Sequence, residues 1–198
     1  MPKDFYIFRH GQSTYNVDGR IQGQTNDSVL TDLGKSQALK LGEKLKGRGI
    51  EVIISSPLTR AMQTAEMVNK NLNVPVVADE HFIEVDVGIV EGMAYKDVMK
   101  QYKDIFDKLH STNLKDNFDV CYPQGETKRQ VRQRILNGLN NWCRCVNNYK
   151  IMAISSHGKA NHTRWVTIHL FLLYPEKRSA SFNILLCSFV GHLPIDCS

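Results

Sequence analysis

Cysteine is scarce in this 198-residue chain, and its pattern is uninformative for cross-linking. The five cysteines, Cys121, Cys143, Cys145, Cys187 and Cys197, are odd in number and include no Cys-x-x-Cys pair. A disulfide framework and a structural zinc site are both disfavoured on that count. Cys143 and Cys145 stand two apart in an expected helix and so point in different directions. All five are expected to be small, buried, apolar side chains. Long hydrophobic runs are also missing. The best stretch, Trp165 to Tyr174, is broken by Thr167 and His169 and is about half of what a membrane span needs. Residues 1–9 have neither the basic region nor the apolar run of a signal peptide. No repeat, low-complexity tract or linker interrupts the sequence. Charge is not of one sign either: 25 Lys and Arg against 20 Asp and Glu leave a net +5. That excess suits an anionic substrate and is too mild for a nucleic-acid footprint. The expectation is a cytoplasmic protein of one domain, 1–198, with no membrane or nucleic-acid partner, either a monomer or a homodimer.

What is present is an alternation of short apolar runs and amphipathic segments. Strands are expected at 5–8, 51–55, 74–78, 151–155 and 182–187, with Pro75 marking the third as an edge strand. Helices are expected at 32–46 behind a Thr31 cap, at 57–71 with Pro57 in the first turn, and near 95–102. Two more are expected, at about 126–147 and 159–173. In the 126–147 segment Val131, Ile135, Leu139, Trp142 and Val146 form one buried stripe. Lys128, Arg129, Arg132 and Arg134 lie mostly off it and read as a solvated basic face, with a second anion site as the alternative. The remainder of 79–124 reads mostly as loop. Strands separated by helical crossovers imply an α/β fold: a mostly parallel central sheet flanked by helices in a three-layer sandwich.

Ligands of such sheets bind at the carboxyl ends of the strands. Two strands here end in the same signal. The first runs into Arg9-His10-Gly11 and the fourth into Ser156-His157-Gly158, with 147 residues between the histidines. A third strand leads to Ser56-Pro57-Leu58-Thr59-Arg60, which puts a cation in the first turn of a helix, where anions are favoured. Arg9, His10, Arg60 and His157 would repel one another around an empty point and would be reconciled by a phosphoryl group. Their mutual repulsion would hold at least one imidazole neutral, and a neutral imidazole can attack phosphorus.

These residues fall in an ordered series. Phe8-Arg9-His10-Gly11-Gln12-Ser13 with Asn16 is followed by Arg20-Ile21-Gln22-Gly23, then by Leu30-Thr31-Asp32-Leu33-Gly34 with Gln37-Ala38. Ser56-Pro57-Leu58-Thr59-Arg60-Ala61 with Gln63-Thr64-Ala65 comes next. Glu84, Gly88 and Glu91-Gly92 precede Pro123-Gln124-Gly125-Glu126-Thr127 and Ser156-His157-Gly158. The series resembles the histidine phosphatase superfamily, the phosphoglycerate mutase-like proteins, over residues 5 to about 160. The resemblance implies that His10 is phosphorylated, that Arg9, Arg60 and His157 hold the transferring phosphoryl group, and that Glu84 is the acid and base. It further implies that Asn16, Gln22, Gly23, Ser13 and Gly158 line the phosphate and substrate side, with Gln12 a weaker candidate. Asp86 and Glu91 compete with Glu84 for the carboxylate role. A carboxyl group facing a dianionic phosphate would have its pKa raised, which suits protonation of a leaving alkoxide. No metal and no cofactor are implied, because arginine and histidine would neutralise the charge.

The chain departs from the family pattern after Gly158. Lys159 adds a cation, and His162 stands where the family has an arginine, with Arg164 two places on. Mutase members carry an additional segment between the Glu-Gly and Pro-x-Gly-Glu motifs, whereas here only residues 93–122 lie between Gly92 and Pro123. These are expected to form a small loop and helix cap, with 104–121 as a specificity loop. The expected function is therefore a metal-independent phosphomonoesterase acting on a small phosphorylated metabolite. A phosphoglycerate mutase and a catalytically idle phosphate-binding domain are the alternatives.

Overall fold

The structure is a computed structural model that describes residues 4–111, 117–144, 149–158 and 182–183. Five strands make one sheet: β1 (Asp4–Arg9), β2 (Val52–Ser55), β3 (Val76–Ala78), β4 (Ile151–Ser156) and β5 (Phe182–Asn183), in the order β3-β2-β4-β1-β5. Among the described residues every strand pairing is parallel. The helices are α1 (Thr14–Val17), α2 (Asp32–Leu45), α3 (Thr59–Leu72), α4 (Tyr95–Gln101), α5 (Lys103–His110) and α6 (Lys128–Arg144). β3 lies at the edge, as Pro75 implied.

Alternation along the strands divides the core into two faces. Phe5, Ile7, Val52, Ile54, Met152 and Ile154 point one way, against Phe82 and the α6 stripe of Val131, Ile135, Leu139 and Trp142. Tyr6, Phe8, Ile53 and Ala153 point the other way, against Ala38, Leu41 and Leu45 of α2 and Ala65 and Val68 of α3. The result is the expected three layers. Each fully buried aliphatic side chain contributes about 1.5–3 kcal/mol, and a sheet covered on both sides gathers that contribution on both faces. The two helices on one face approach closely because Gly42 has no side chain; a Cβ there would stand 2.6 Å from the Val68 carbonyl oxygen.

Local signals set the helix starts. Thr31 Oγ1 accepts from the Gly34 N–H at 3.1 Å and caps α2, with Asp32 in the first turn. α3 begins at Thr59, two residues later than the Pro57 start expected from sequence. Leu58 is still extended at ψ 135° and serves as the cap residue. Pro57 belongs instead to the turn that leaves β2.

The segment 79–124 carries more structure than its pattern suggested. Single turns of 3₁₀ helix occur at Glu80–Phe82 and Gly88–Val90. α5 occupies the first part of the stretch expected to be a specificity loop. It is separated from α4 by Tyr102, whose φ of −123° breaks the helical run and splits the apolar spacing into two short, weak patterns. Val98 of α4 packs with Ile21, Val87, Val90 and Tyr122 in a third cluster, joined by Tyr102, Ile105 and Leu109.

Two cysteine expectations need correction. Cys121 and Cys143 are half-buried rather than buried. Cys121 lies in the loop before Tyr122, and Cys143 lies on the flank of α6 beside the core residue Trp142. Cys145, Cys187 and Cys197 lie outside the described residues, as do the helix expected at 159–173 and the strand expected beyond Asn183. Among the described residues no helix is long and apolar enough to cross a membrane.

Candidate active site

The β1–β4 ladder places the two histidines. Arg9 and Ser156 are Cα partners, so His10 and His157 each stand one residue beyond the last rung of neighbouring strands. The ladder continues for one more bond, from the His10 N–H to the Ser156 carbonyl at 3.0 Å. The imidazole centroids are 5.2 Å apart and the rings are tilted by 58°. Both side chains are buried, His157 completely.

The hydrogen bonds of these rings set the roles of the His10 nitrogens and the orientation of His157. His10 Nδ1 lies 2.8 Å from the Gly11 carbonyl oxygen. A carbonyl only accepts, so Nδ1 carries the hydrogen, and in the neutral ring Nε2 presents a lone pair. Ser56 Oγ accepts from the Leu58 N–H at 3.3 Å and lies 2.7 Å from His157 Nε2, a bond that either group can donate. His157 Nδ1 is a buried nitrogen with no hydrogen-bond partner.

Both imidazoles are held neutral. Burial does most to push the His10 pKa well below its ordinary value, and the charges of Arg9 and Arg60 add to it, against a smaller opposing effect of the Gly11 carbonyl. Burial likewise leads for His157, followed by His10, Arg60, Arg9 and Arg134. Repulsion from the arginines was legible in the sequence, and the larger effect of burial was not.

Arg60 is completely buried, at the second position of α3. Its guanidinium holds the loop that follows Gln22, donating to the Gly23 carbonyl at 2.7 Å and to the Thr25 carbonyl at 2.8 Å. Its Nε is a further buried nitrogen without a partner. Desolvation lowers the Arg60 pKa to about 10, offset by the Glu84 carboxylate and reinforced by Arg9. At neutral pH the group remains charged. An unpaired buried N–H donor is costly, and the one on Arg60 Nε suits an anion with several acceptor oxygens. Arg9 is exposed and lies against Gly158, where a Cβ would be 3.1 Å from Arg9 Nε.

The other motif residues position these groups. Gly11 donates to Thr64 Oγ1 at 3.1 Å, and Thr64 Oγ1 donates to the Arg60 carbonyl at 2.7 Å. Gln37 accepts from the Gln12 N–H at 2.9 Å and Gln63 from the Leu30 N–H at 2.8 Å. Gln12 Oε1 accepts from Thr31 Oγ1 at 2.9 Å. Gly11 and Gly34 must be small: a Cβ on Gly11 would come within 2.4 Å of the Gly34 oxygen.

Ser13, Asn16 and Gln22 form one polar network. Ser13 Oγ lies 3.0 Å from Asn16 Oδ1 and 2.9 Å from Gln22 Oε1, and Gln22 also accepts from Ser28 Oγ at 3.0 Å. Gly23 follows at φ +51°, where a Cβ would strike Glu91 Oε2 at 2.4 Å. Glu91, one of the rival carboxylates, is committed to this loop and accepts from the Gln24 N–H at 2.7 Å. Asp86, the other rival, accepts from the Gly88 N–H at 2.8 Å. Glu84 is nearly buried, and its Oε1 accepts from the Val85 N–H at 2.9 Å.

Arg9, His10, His157 and Gly158 thus stand at the carboxyl ends of β1 and β4, Arg60 holds Gly23 beside them, the Glu84 carboxylate is near enough to act on Arg60, and Ser13, Asn16 and Gln22 form a network on the loop that leads to Gly23. Lys159 and His162 lie outside the described residues. Sequence reasoning missed Ser56 as the partner of His157, although it sits in a quoted motif. It also misread Arg134, which is half-buried rather than part of a solvated face.

The chain is similar to known proteins over most of its length. The family description "Histidine phosphatase superfamily (branch 1)" matches residues 5–191. A Bacillus subtilis protein named as the uncharacterized phosphatase PhoE is 33% identical over 156 residues, 79% of this chain and 72% of that protein. GpmB of Proteus mirabilis, named as a probable phosphoglycerate mutase, is 33% identical over 174 residues, 87% of this chain and 78% of that protein. Among solved structures, a mycobacterial glucosyl-3-phosphoglycerate phosphatase bound to VO3 superposes with a TM-score of 0.71 at 24% identity, covering 84% of this chain and 81% of that one.

Proposed function

The chain belongs to the histidine phosphatase superfamily, and on that premise we propose that it is a phosphomonoesterase working through a phosphohistidine on His10. The single observation that carries this reading is the bond from His10 Nδ1 to the Gly11 carbonyl, which aims an unprotonated Nε2 from a strand end flanked by Arg9 and Arg60. In the first step Nε2 attacks phosphorus in line, the P–O ester bond breaks, and the departing alkoxide takes a proton from Glu84. In the second step water attacks the phosphorus and gives a proton to the Glu84 carboxylate. The P–N bond breaks, and phosphate leaves with His10 restored. Arg9, Arg60 and His157 Nδ1 neutralise charge on the equatorial oxygens, which is most of what such a transfer requires. Ser13, Asn16, Gln22, Gly23 and Gly158 line the phosphate side.

The likeness to the phosphatase PhoE supports hydrolysis of small phosphorylated substrates, and so does the short segment 93–122. α4 and α5 pack there against Ile21 and Val90 as a small cap, which we assign to selecting the alcohol part of the substrate. The likeness to GpmB favours a second reading, phosphoglycerate mutation. Incubation with 2- and 3-phosphoglycerate, with and without a bisphosphate, separates the two. Release of phosphate without interconversion supports the phosphatase.

The decisive variant is His10→Ala. It abolishes phosphate release from p-nitrophenyl phosphate and leaves no acid-labile ³²P label on the protein. Near-normal turnover by this variant, or failure of the wild type to become labelled, would overturn the proposal.

A further inference from the structure

A second arginine outside the motif series is fully engaged at the acid loop. All five N–H groups of Arg134 are used. Nε and NH2 donate to Glu126 Oε1 and Oε2 at 3.1 and 2.8 Å, a bidentate pair. NH1 donates to the carbonyls of His81 and Ile83 at 3.0 and 2.9 Å, and NH2 also reaches the Glu84 carbonyl at 3.3 Å. Glu126 completes the grip from the other side. Its Oε2 accepts from the Asp86 N–H at 3.0 Å, and its own N–H donates to the Asp86 carbonyl at 2.8 Å. One ion pair thus collects backbone groups of residues 81, 83, 84 and 86, a segment with only a single 3₁₀ turn of its own.

The anchor for this grip is rigid. Arg134 lies on α6 between Val131 and Ile135, both packed against the sheet. The loop is pinned a second time by Ser156 of β4, whose Oγ donates to the Phe82 carbonyl at 2.7 Å. Gln24 Nε2, from the loop held by Arg60, donates to the Glu84 carbonyl at 3.0 Å. A lysine has three donors and no plane, and could not replace the fork of a guanidinium here.

We infer that the Arg134–Glu126 pair is a positioning device that fixes the Glu84 carboxyl at the distance needed to protonate the leaving group. This inference rests on the phosphatase reading and on Glu84 as its acid. Proton delivery requires heavy-atom approach near hydrogen-bond distance, so a loop displaced by an ångström loses most of its benefit. The phosphate-gripping groups sit on other elements, and Arg134 acts on them only as the last of the charges that lower the His157 pKa.

The experiment compares kcat/KM for an aryl ester, p-nitrophenyl phosphate, with that for an alkyl ester, β-glycerophosphate. This parameter covers only the first transfer. An aryl leaving group needs little protonation, whereas an alkoxide needs it fully. Arg134→Gln is expected to lower the alkyl-to-aryl ratio by about thirtyfold, part of the roughly 100- to 10,000-fold that general acids supply. Arg134→Lys should behave like Arg134→Gln. Inhibition by inorganic phosphate should be retained, which reports an intact Arg9–Arg60–His157 site. Should Arg134→Gln not fold, Glu126→Gln, which keeps the shape of the side chain, is expected to lower the same ratio by about tenfold. An unchanged ratio in the folded variant overturns the inference, as does full activity of Arg134→Lys. Glu84→Gln is measured in parallel. If it lowers the ratio and Arg134→Gln does not, only the positioning role falls. If Glu84→Gln leaves the ratio unchanged, the acid assignment falls and the positioning role falls with it.

Discussion

His157 is held by Ser56: the imidazole Nε2 and the serine hydroxyl are 2.7 Å apart in a fully buried setting. The contact joins residues 101 positions apart in sequence and leaves Nδ1 as the ring nitrogen without a hydrogen-bond partner. Ser56→Ala removes it and frees the ring to change tautomer. The expected outcome is a fall of roughly tenfold in kcat/KM for p-nitrophenyl phosphate, about one buried hydrogen bond's worth. Ser56→Thr keeps the hydroxyl and should restore most of the rate. Equal rates for the alanine variant and the wild type would show that the contact does not matter.

Protonation of the buried histidines sets an acid limit on stability. Both pKa values are lowered in the folded protein, while in the unfolded chain the rings titrate near 6.5. Below about pH 6.5 the unfolded state therefore binds more protons than the folded state, and stability falls as pH falls; above it the contribution is flat. From pH 7.5 to 5.5 the loss is expected to be about 1 kcal/mol for each histidine. Urea unfolding at both pH values should show it, and His10→Asn should reduce the slope. An identical pH dependence in the variant and the wild type would contradict the coupling.

Arg60→Lys tests whether Arg60 does two tasks. Its two terminal nitrogens hold the Gly23 and Thr25 carbonyls, so lysine cannot keep the loop and face the anion together. A loss of about 100-fold in kcat/KM is expected, with faster amide hydrogen exchange in residues 22–27. Loss of rate without any change in exchange would assign Arg60 to the phosphate alone.

Gly11→Ala tests the close approach beneath the site. The added Cβ would stand 2.4 Å from the Gly34 oxygen, and retreat would break the bond from Gly11 to Thr64. Overpacking of this kind costs about 1–3 kcal/mol. Thermal unfolding should shift down by several degrees, and an unshifted transition would mean that α2 gives way easily.

The residues at the strand ends were legible in the sequence because both their chemistry and their spacing repeat. Arg9, His10 and His157 each adjoin an apolar run that can only be a buried strand, and Arg60 lies just beyond another. The two sheet faces followed from the same alternation. Arg134 was not legible, since its partners are backbone carbonyls of a loop with no periodicity. Among the cations of α6 nothing but its distance from Glu126 set it apart. α5 escaped for a related reason. The kink at Tyr102 leaves two helices too short for their apolar spacing to stand out.

The Arg9–Ser156 rung has a consequence for how activity arises. Neither histidine is near the other in the chain, and no short-range structure brings them together. Closure of the β1–β4 pair, a step that must overcome a large loop-closure cost, creates the site as it completes the sheet. Recovery of phosphatase activity during refolding would therefore report the formation of this one long-range pairing. Halves of the chain separated between α3 and α6 would have to reassociate before either could turn over a substrate.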